Sequence, residues 1–144
     1  MSLYLDASVI VTTVVREPAS RAVIQFLEGL SDRPVVSELV AIETASAVSR
    51  LVRMDRVSGA AAAARLTEFD AWRAGFTVGL DIHPADVALA GAMVRRFELG
   101  LRAPDALHAA ACQSGGHTLV TLDRRLAAAA GSLGVLTHRL GQEA

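Results

Sequence analysis

The sequence predicts an α/β fold, a mostly parallel sheet of about four to five short strands covered by helices. Short β-branched runs alternate with longer stretches of helical periodicity, which is the order parallel pairing imposes because each crossover carries its own helix. Two of those runs, "LYLD" and "LVTLD", end in aspartate and feed a helix. With 144 residues, 52% apolar and 20% charged, the chain has the size and composition of one globular domain, here 1–141, followed by a short tail at 142–144.

Leu3 to Asp6 is a first buried strand, and Ala7 to Arg16 follows as a helix whose β-branched residues weaken its preference. "EPASRAVIQFLEGL" is a helix with Pro18 near its start and Gly29 at its end, and "RPVVS" is a second strand. Ser37 caps a helix running to Arg53, and Ser58 opens an alanine-rich helix that reaches Trp72. "GFTVGLDI" is a third strand; Pro84 then opens "PADVALAGAMVRRFEL" and Pro104 opens "APDALHAAACQ". "HTLVTLD" is the last clear strand, "RRLAAAAGSLG" a short helix and "GVLTH" an edge strand, after which the "QEA" tail frays.

The totals exclude several function classes. A net charge of −1, from 15 acids and 14 bases, gives no global field that draws in nucleic acid, so any polyanion must be met by a local patch. Every base is arginine, which excludes a Walker-type phosphate loop and a Schiff-base lysine. Cys112 has no partner for an internal disulfide and reads as a small core residue in a reducing compartment. No basic segment precedes the first apolar run, and no stretch reaches the roughly 18 consecutive apolar residues of a membrane helix, so a cytoplasmic protein without membrane contact is expected.

Four acids do not sit where surface acids sit. Asp6 and Asp123 end strands, and in a parallel sheet the carboxyl ends of strands form the ligand crevice; each also qualifies as an ordinary helix N-cap. Glu43 projects from the apolar stripe of "SELVAIETASAVSRLV", where a carboxylate needs a partner, Arg50 being one candidate. Asp105 follows a helix-opening proline, where the helix dipole favours an acid. Glu17, Asp32, Asp55, Glu68, Asp70 and Glu143 read as solvated charges on polar faces or turns, and Glu38 is explained by the dipole of its helix. Four converging carboxylates repel one another unless some protonate or a cation neutralises them. All-oxygen ligands without a zinc-type Cys/His spacing point to Mg²⁺ or Mn²⁺, ions used chiefly to bind and hydrolyse phosphate esters.

With "YLDASVIV", "SELVAIETASAVSR", "LRAPDALHAA" and "TLVTLDRRL" in that order, the chain resembles the PIN-domain family, and within it the VapC-type toxin ribonucleases of type II toxin–antitoxin pairs. The resemblance covers nearly the whole chain and implies a PIN-like three-layer α/β/α sandwich. It also implies a Mg²⁺- or Mn²⁺-dependent endoribonuclease that hydrolyses RNA phosphodiesters, a homodimer, and a VapB-type antitoxin whose C-terminal segment occupies the toxin's groove. Carried over residue by residue, the family's metal-binding and catalytic acids fall on Asp6, Glu43, Asp105 and Asp123, while Ser8 and Thr121 fall on supporting polar positions. Many relatives carry a further acid two residues after the last aspartate; here that place is Arg125, and a one-metal site remains adequate chemistry.

RNA contact then falls to arginine, whose planar guanidinium suits phosphate oxygens. The clusters are Arg50/Arg53, Arg95/Arg96/Arg102 and Arg124/Arg125, with Arg102, Arg124 and Arg125 the substrate-binding candidates and most of the others ordinary surface charges. Aromatics are only 4%, so base stacking is not the main source of recognition. His108, three residues after Asp105, shares its helix side and reads as a structural, hydrogen-bonded histidine. Among rival readings, a haloacid-dehalogenase-like phosphatase wants an acid where Ser8 stands and a lysine the chain lacks. A non-catalytic RNA- or protein-binding module gains nothing from enclosed negative charge.

Overall fold

A computed structural model describes residues 2–141, so the expected tail at 142–144 lies outside the described residues. The elements run β1 (Leu3–Leu5), α1 (Ala7–Val14), α2 (Ser20–Glu28), β2 (Val35–Ser37), α3 (Glu38–Arg53), α4 (Gly59–Phe76) and β3 (Val78–Leu80). They continue with α5 (Pro84–Val94), a 3₁₀ turn (Phe97–Leu99), α6 (Ala103–Gly115), β4 (Thr118–Thr121), α7 (Arg124–Ser132) and β5 (Thr137–Arg139). Ser37 and Ser58 cap α3 and α4 as the sequence predicts, each hydroxyl accepting from the backbone N–H three residues on.

Several boundaries differ from the sequence reading: α2 starts at Ser20 and β5 is Thr137–Arg139. α1 stops at Val14 because Val15 is already extended. α4 runs past Trp72 through Phe76, its last turn held where the Thr77 hydroxyl donates to the Arg73 carbonyl at 2.7 Å, and β3 shortens to Val78–Leu80. α5 stops at Val94; the chain then makes the 3₁₀ turn, which Gly100 ends with a left-handed φ of +62°.

The strands form one parallel sheet in the order β3-β2-β1-β4-β5. β1 is central, with Tyr4 paired to Val35 on one side and to Leu119 on the other. Tyr4, Leu5, Val36, Leu119 and Val120 are buried, so the inner strands read as continuous apolar runs. The edge strand β3 leaves Val78 50% exposed. Right-handed crossovers place α1–α4 on one face and α5–α7 on the other, completing the three layers. In keeping with this, α1 packs on α2, α3 and α4, α5 on α6, and α7 on β4 and β5. No helix of the described residues is long and apolar enough to cross a membrane.

The chain builds outward from β1 through β2 to β3, then returns to add β4 and β5 on β1's other side. That reversal opens a crevice at the carboxyl ends of β1 and β4, the place where ligands bind in sheets of this kind. Asp6 and Asp123 sit at those two ends.

Candidate active site

Asp6 follows β1 directly, and its N–H donates to the Val120 carbonyl at 3.2 Å, extending the ladder to β4 by one step. Its Oδ1 accepts from the Ser8 hydroxyl at 2.6 Å and from the Val9 N–H at 3.2 Å, which caps α1. Its Oδ2 accepts from the Thr121 hydroxyl at 2.5 Å. The residue is 3% exposed and makes no ion pair among the described residues. Burial pushes its pKa above the usual carboxylate range, while the Ser8 and Thr121 hydroxyls, nearby His108 and the Val9 N–H pull it partway back.

The same two hydroxyls tie the β1–α1 junction to the β4–α7 junction. Ser8 Oγ accepts from the Leu122 N–H at 2.9 Å, and Thr121 Oγ1 accepts from the Asp123 N–H at 3.0 Å. Asp123 Oδ1 in turn accepts from the N–H groups of Arg125 and Leu126, at 2.8 and 3.2 Å, and so caps α7. Both strand-end aspartates are therefore helix caps as well as crevice residues; the two readings of the sequence are compatible.

Glu43 stands in the second turn of α3, with its side chain 29% exposed, so it is less enclosed than its place in the apolar stripe suggests. Its partner is not Arg50: Glu43 Oε1 meets His108 Nε2 at 2.5 Å, and His108 Nδ1 meets the Tyr4 hydroxyl at 2.6 Å. His108 is 2% exposed, in agreement with the expected hydrogen-bonded histidine, but it reaches an acid of the candidate set. Burial first, and then the charges of Glu43 and Asp6 among others, push the Tyr4 phenol far above its ordinary range. Burial first and Asp6 second push the Cys112 thiol up to about 12.

A cavity of about 390 Å³ opens over this cluster, lined by Ala7, Ser8, Val11, Glu17, Glu43, Ala47, Leu122 and Asp123. Glu17, read from the sequence as a solvated charge, is thus a further acid at the site. Only the path of the chain after α1 brings it there, and no local pattern announces it. Asp105 stands apart from that lining. In the first turn of α6 its Oδ2 accepts from the Arg102 N–H at 3.3 Å and Nε at 3.4 Å, which engages one of the substrate-binding candidates. Arg124 and Arg125 are exposed at the start of α7, beside Asp123.

Among the described residues no three His, Cys, Asp or Glu side chains stand close enough together to hold a metal ion between them. The donors still fit a hard divalent ion in kind. Mg²⁺ commonly takes one or two carboxylates and completes its shell with water. Glu43 and Asp123 line one cavity, and the hydrogen bonds to the two side chains from the described residues fall on one oxygen of each, Oε1 and Oδ1.

The family model for the PIN domain matches residues 3–132. Comparison with curated proteins finds no match. Among solved structures, VapBC2 from Rickettsia felis, bound to a DNA fragment from its promoter, has 16% identity and a TM-score of 0.74, covering 97% of this chain and 99% of that one. VapC20 from Mycobacterium tuberculosis, described as a sarcin–ricin loop cleaving toxin, has 18% identity and a TM-score of 0.73 over 96% and 99% of the two chains. FitAcB from Neisseria gonorrhoeae has 19% identity and a TM-score of 0.67 over 95% and 96%. At these identities the likeness is one of fold. The family match, by contrast, is one of sequence, and because it runs unbroken from the first residue of β1 to the last of α7, the chain belongs to the PIN domain family.

Proposed function

We propose that this protein is a Mg²⁺- or Mn²⁺-dependent endoribonuclease, the toxin of a toxin–antitoxin pair, working as a homodimer restrained by a VapB-type antitoxin. The observation that carries the reading is Asp6: a carboxylate 3% exposed, without a basic partner, at the switch point of the sheet. Such a charge is costly to bury unless something compensates it, and the hydroxyls of Ser8 and Thr121 do so only in part. Family membership and the description of VapC20 from Mycobacterium tuberculosis as a sarcin–ricin loop cleaving toxin support the same reading.

On this reading Glu43 and Asp123 hold the ion at the cavity, Asp6 supplies negative charge from below, and Asp105 contributes from the start of α6. When bound, the ion supplies neutralising charge to a phosphodiester and lowers the pKa of water. Ser8 and Thr121 favour the ionised form of Asp6 by donating to it, and they fix its rotamer against both junctions. Arg124 and Arg125, exposed beside Asp123, bind the RNA backbone by paired N–H donors. Arg102 joins them once a phosphate competes for the guanidinium that Asp105 holds at 3.4 Å.

End-mapped cleavage of total bacterial RNA by the purified, antitoxin-free protein in Mg²⁺ or Mn²⁺, beside EDTA and the variants Asp6→Asn and Asp105→Asn, tests the proposal. Discrete metal-dependent cuts absent from both variants are expected. Cuts that persist in EDTA refute metal dependence, and a folded, metal-free protein that retains RNA unharmed favours the non-catalytic module.

A further inference from the structure

We infer that Tyr4 and His108 are positioning residues that aim the Glu43 carboxylate at the cavity. The inference rests on the metal-dependent reading above and adds to it two residues outside the acidic set.

Glu43 is held differently from its companions. Asp6, Asp105 and Asp123 each accept from backbone N–H groups of their own helix start, so local chain geometry orients them. Glu43 lies inside α3, where the backbone N–H groups are already spent on the helix, and its longer side chain has an additional rotatable bond. Its holder among the described residues is His108, which reaches it from α6, across the sheet's carboxyl edge.

His108 is itself pinned. Its ring stands edge-on to Tyr4 with centroids 5.6 Å apart, and the Tyr4 hydroxyl lies 2.6 Å from Nδ1 and 2.8 Å from Ser37 Oγ. With Glu43 ionised, Nε2 carries the hydrogen that Glu43 accepts. Nδ1 then accepts from Tyr4, and the Tyr4 oxygen accepts from Ser37. Ser37 also takes the Val40 N–H as the N-cap of α3. The bonds therefore close a ring: from the first turn of α3, through β1 and α6, back to the second turn of α3. One carboxylate oxygen of Glu43 is fixed by that ring, while the residue lines the cavity. Partners of this kind, one bond behind a ligand, set its orientation and basicity.

The test is calorimetric titration of Mn²⁺ alone into the full-length protein and four variants, with urea unfolding of each. Asparagine places its amide near Nδ1 and falls short of Glu43; glutamine places an amide nitrogen near Nε2 and can donate. His108→Asn is expected to weaken Mn²⁺ binding by about 10–100-fold and His108→Gln to restore it to within roughly threefold of the parent. The two variants should unfold at similar urea concentrations, which a merely structural role would not combine with different affinities. Tyr4→Phe keeps the ring and removes one hydroxyl, and it should weaken binding by about threefold or more even where His108→Asn fails to fold. If Glu43→Gln loses Mn²⁺ while Tyr4→Phe and any folded His108 variant bind as the parent does, the positioning role falls and the metal site stands. If the parent takes up no Mn²⁺, or Glu43→Gln binds unchanged, the metal reading falls and takes this inference with it.

Discussion

Thr121→Val is the substitution whose consequence follows most directly from the geometry. Valine matches threonine in shape, and Thr121 is 0% exposed, so what changes is the hydroxyl and little else. That hydroxyl donates to Asp6 Oδ2 at 2.5 Å and accepts from the Asp123 N–H at 3.0 Å. Losing a bond to a charged acceptor costs about 1.5–3 kcal/mol, and leaving a buried N–H unpaired about 1–3 kcal/mol. The added methyl returns about 0.8 kcal/mol at most, so a net loss of about 2–5 kcal/mol is expected. With a urea slope of about 2 kcal/mol/M, the unfolding midpoint of the variant should fall by about 1–2.5 M. The penalty should also depend on pH, with a definite sign. A donated bond favours the ionised carboxylate, so its contribution is complete when Asp6 is charged and shrinks as pH falls through Asp6's raised folded pKa. Urea curves of parent and variant at about pH 8 and about pH 4 check this, the gap being larger at the higher pH. A penalty below about 1 kcal/mol, or one equal at both pH values, would refute the account of how Asp6 is kept charged.

The other expectations are shorter. Because burial makes folded Asp6 hold its proton more tightly than the unfolded chain does, parent stability should decline as pH rises from about 3.9 to the folded pKa; Asp6→Asn should remove that decline, and parallel stability–pH curves for the two would argue against it. Cys112, buried with its thiol pushed up to about 12, should resist an aromatic disulfide reagent at mildly alkaline pH until the protein unfolds; rapid labelling of the native state would contradict the burial. Gly100→Ala forces a side chain onto a φ of +62° with its Cβ 3.3 Å from the Arg125 guanidinium, and should destabilise by about 1 kcal/mol, read by thermal melts; adding Arg125→Ala should relieve the contact but not the backbone strain.

What could be read from the sequence is what local chemistry encodes. Strand ends announce themselves by an apolar run closed with aspartate, so Asp6 and Asp123 stand beyond the ends of β1 and β4 as expected, although Asp123 lines the cavity and the buried Asp6 does not, and the caps at Ser37 and Ser58 follow from residue type alone. Helical periodicity turned Glu43 toward the interior, but its partner comes from 65 residues away and no nearby pattern names it. The helix-opening proline placed Asp105 in the first turn of α6, yet its distance from the cavity shared by Glu43 and Asp123 depends on how α6 crosses the sheet. Glu17 was overlooked for the same reason. Where propensity is weak, boundaries drifted: Gly75 and Phe76 read as the start of a strand but continue α4, because the turn is completed by Thr77.

The placement of β1 between β2 and β4 bears on the birth of the protein. Asp6 is synthesised well before the hydroxyl that holds its second oxygen, which lies 115 residues later in the chain. Until Thr118–Thr121 has been synthesised, β1 lacks a neighbour on that side and the crevice has only one wall. A nascent chain that has not yet reached Thr121 thus carries Asp6 without the second wall of its crevice.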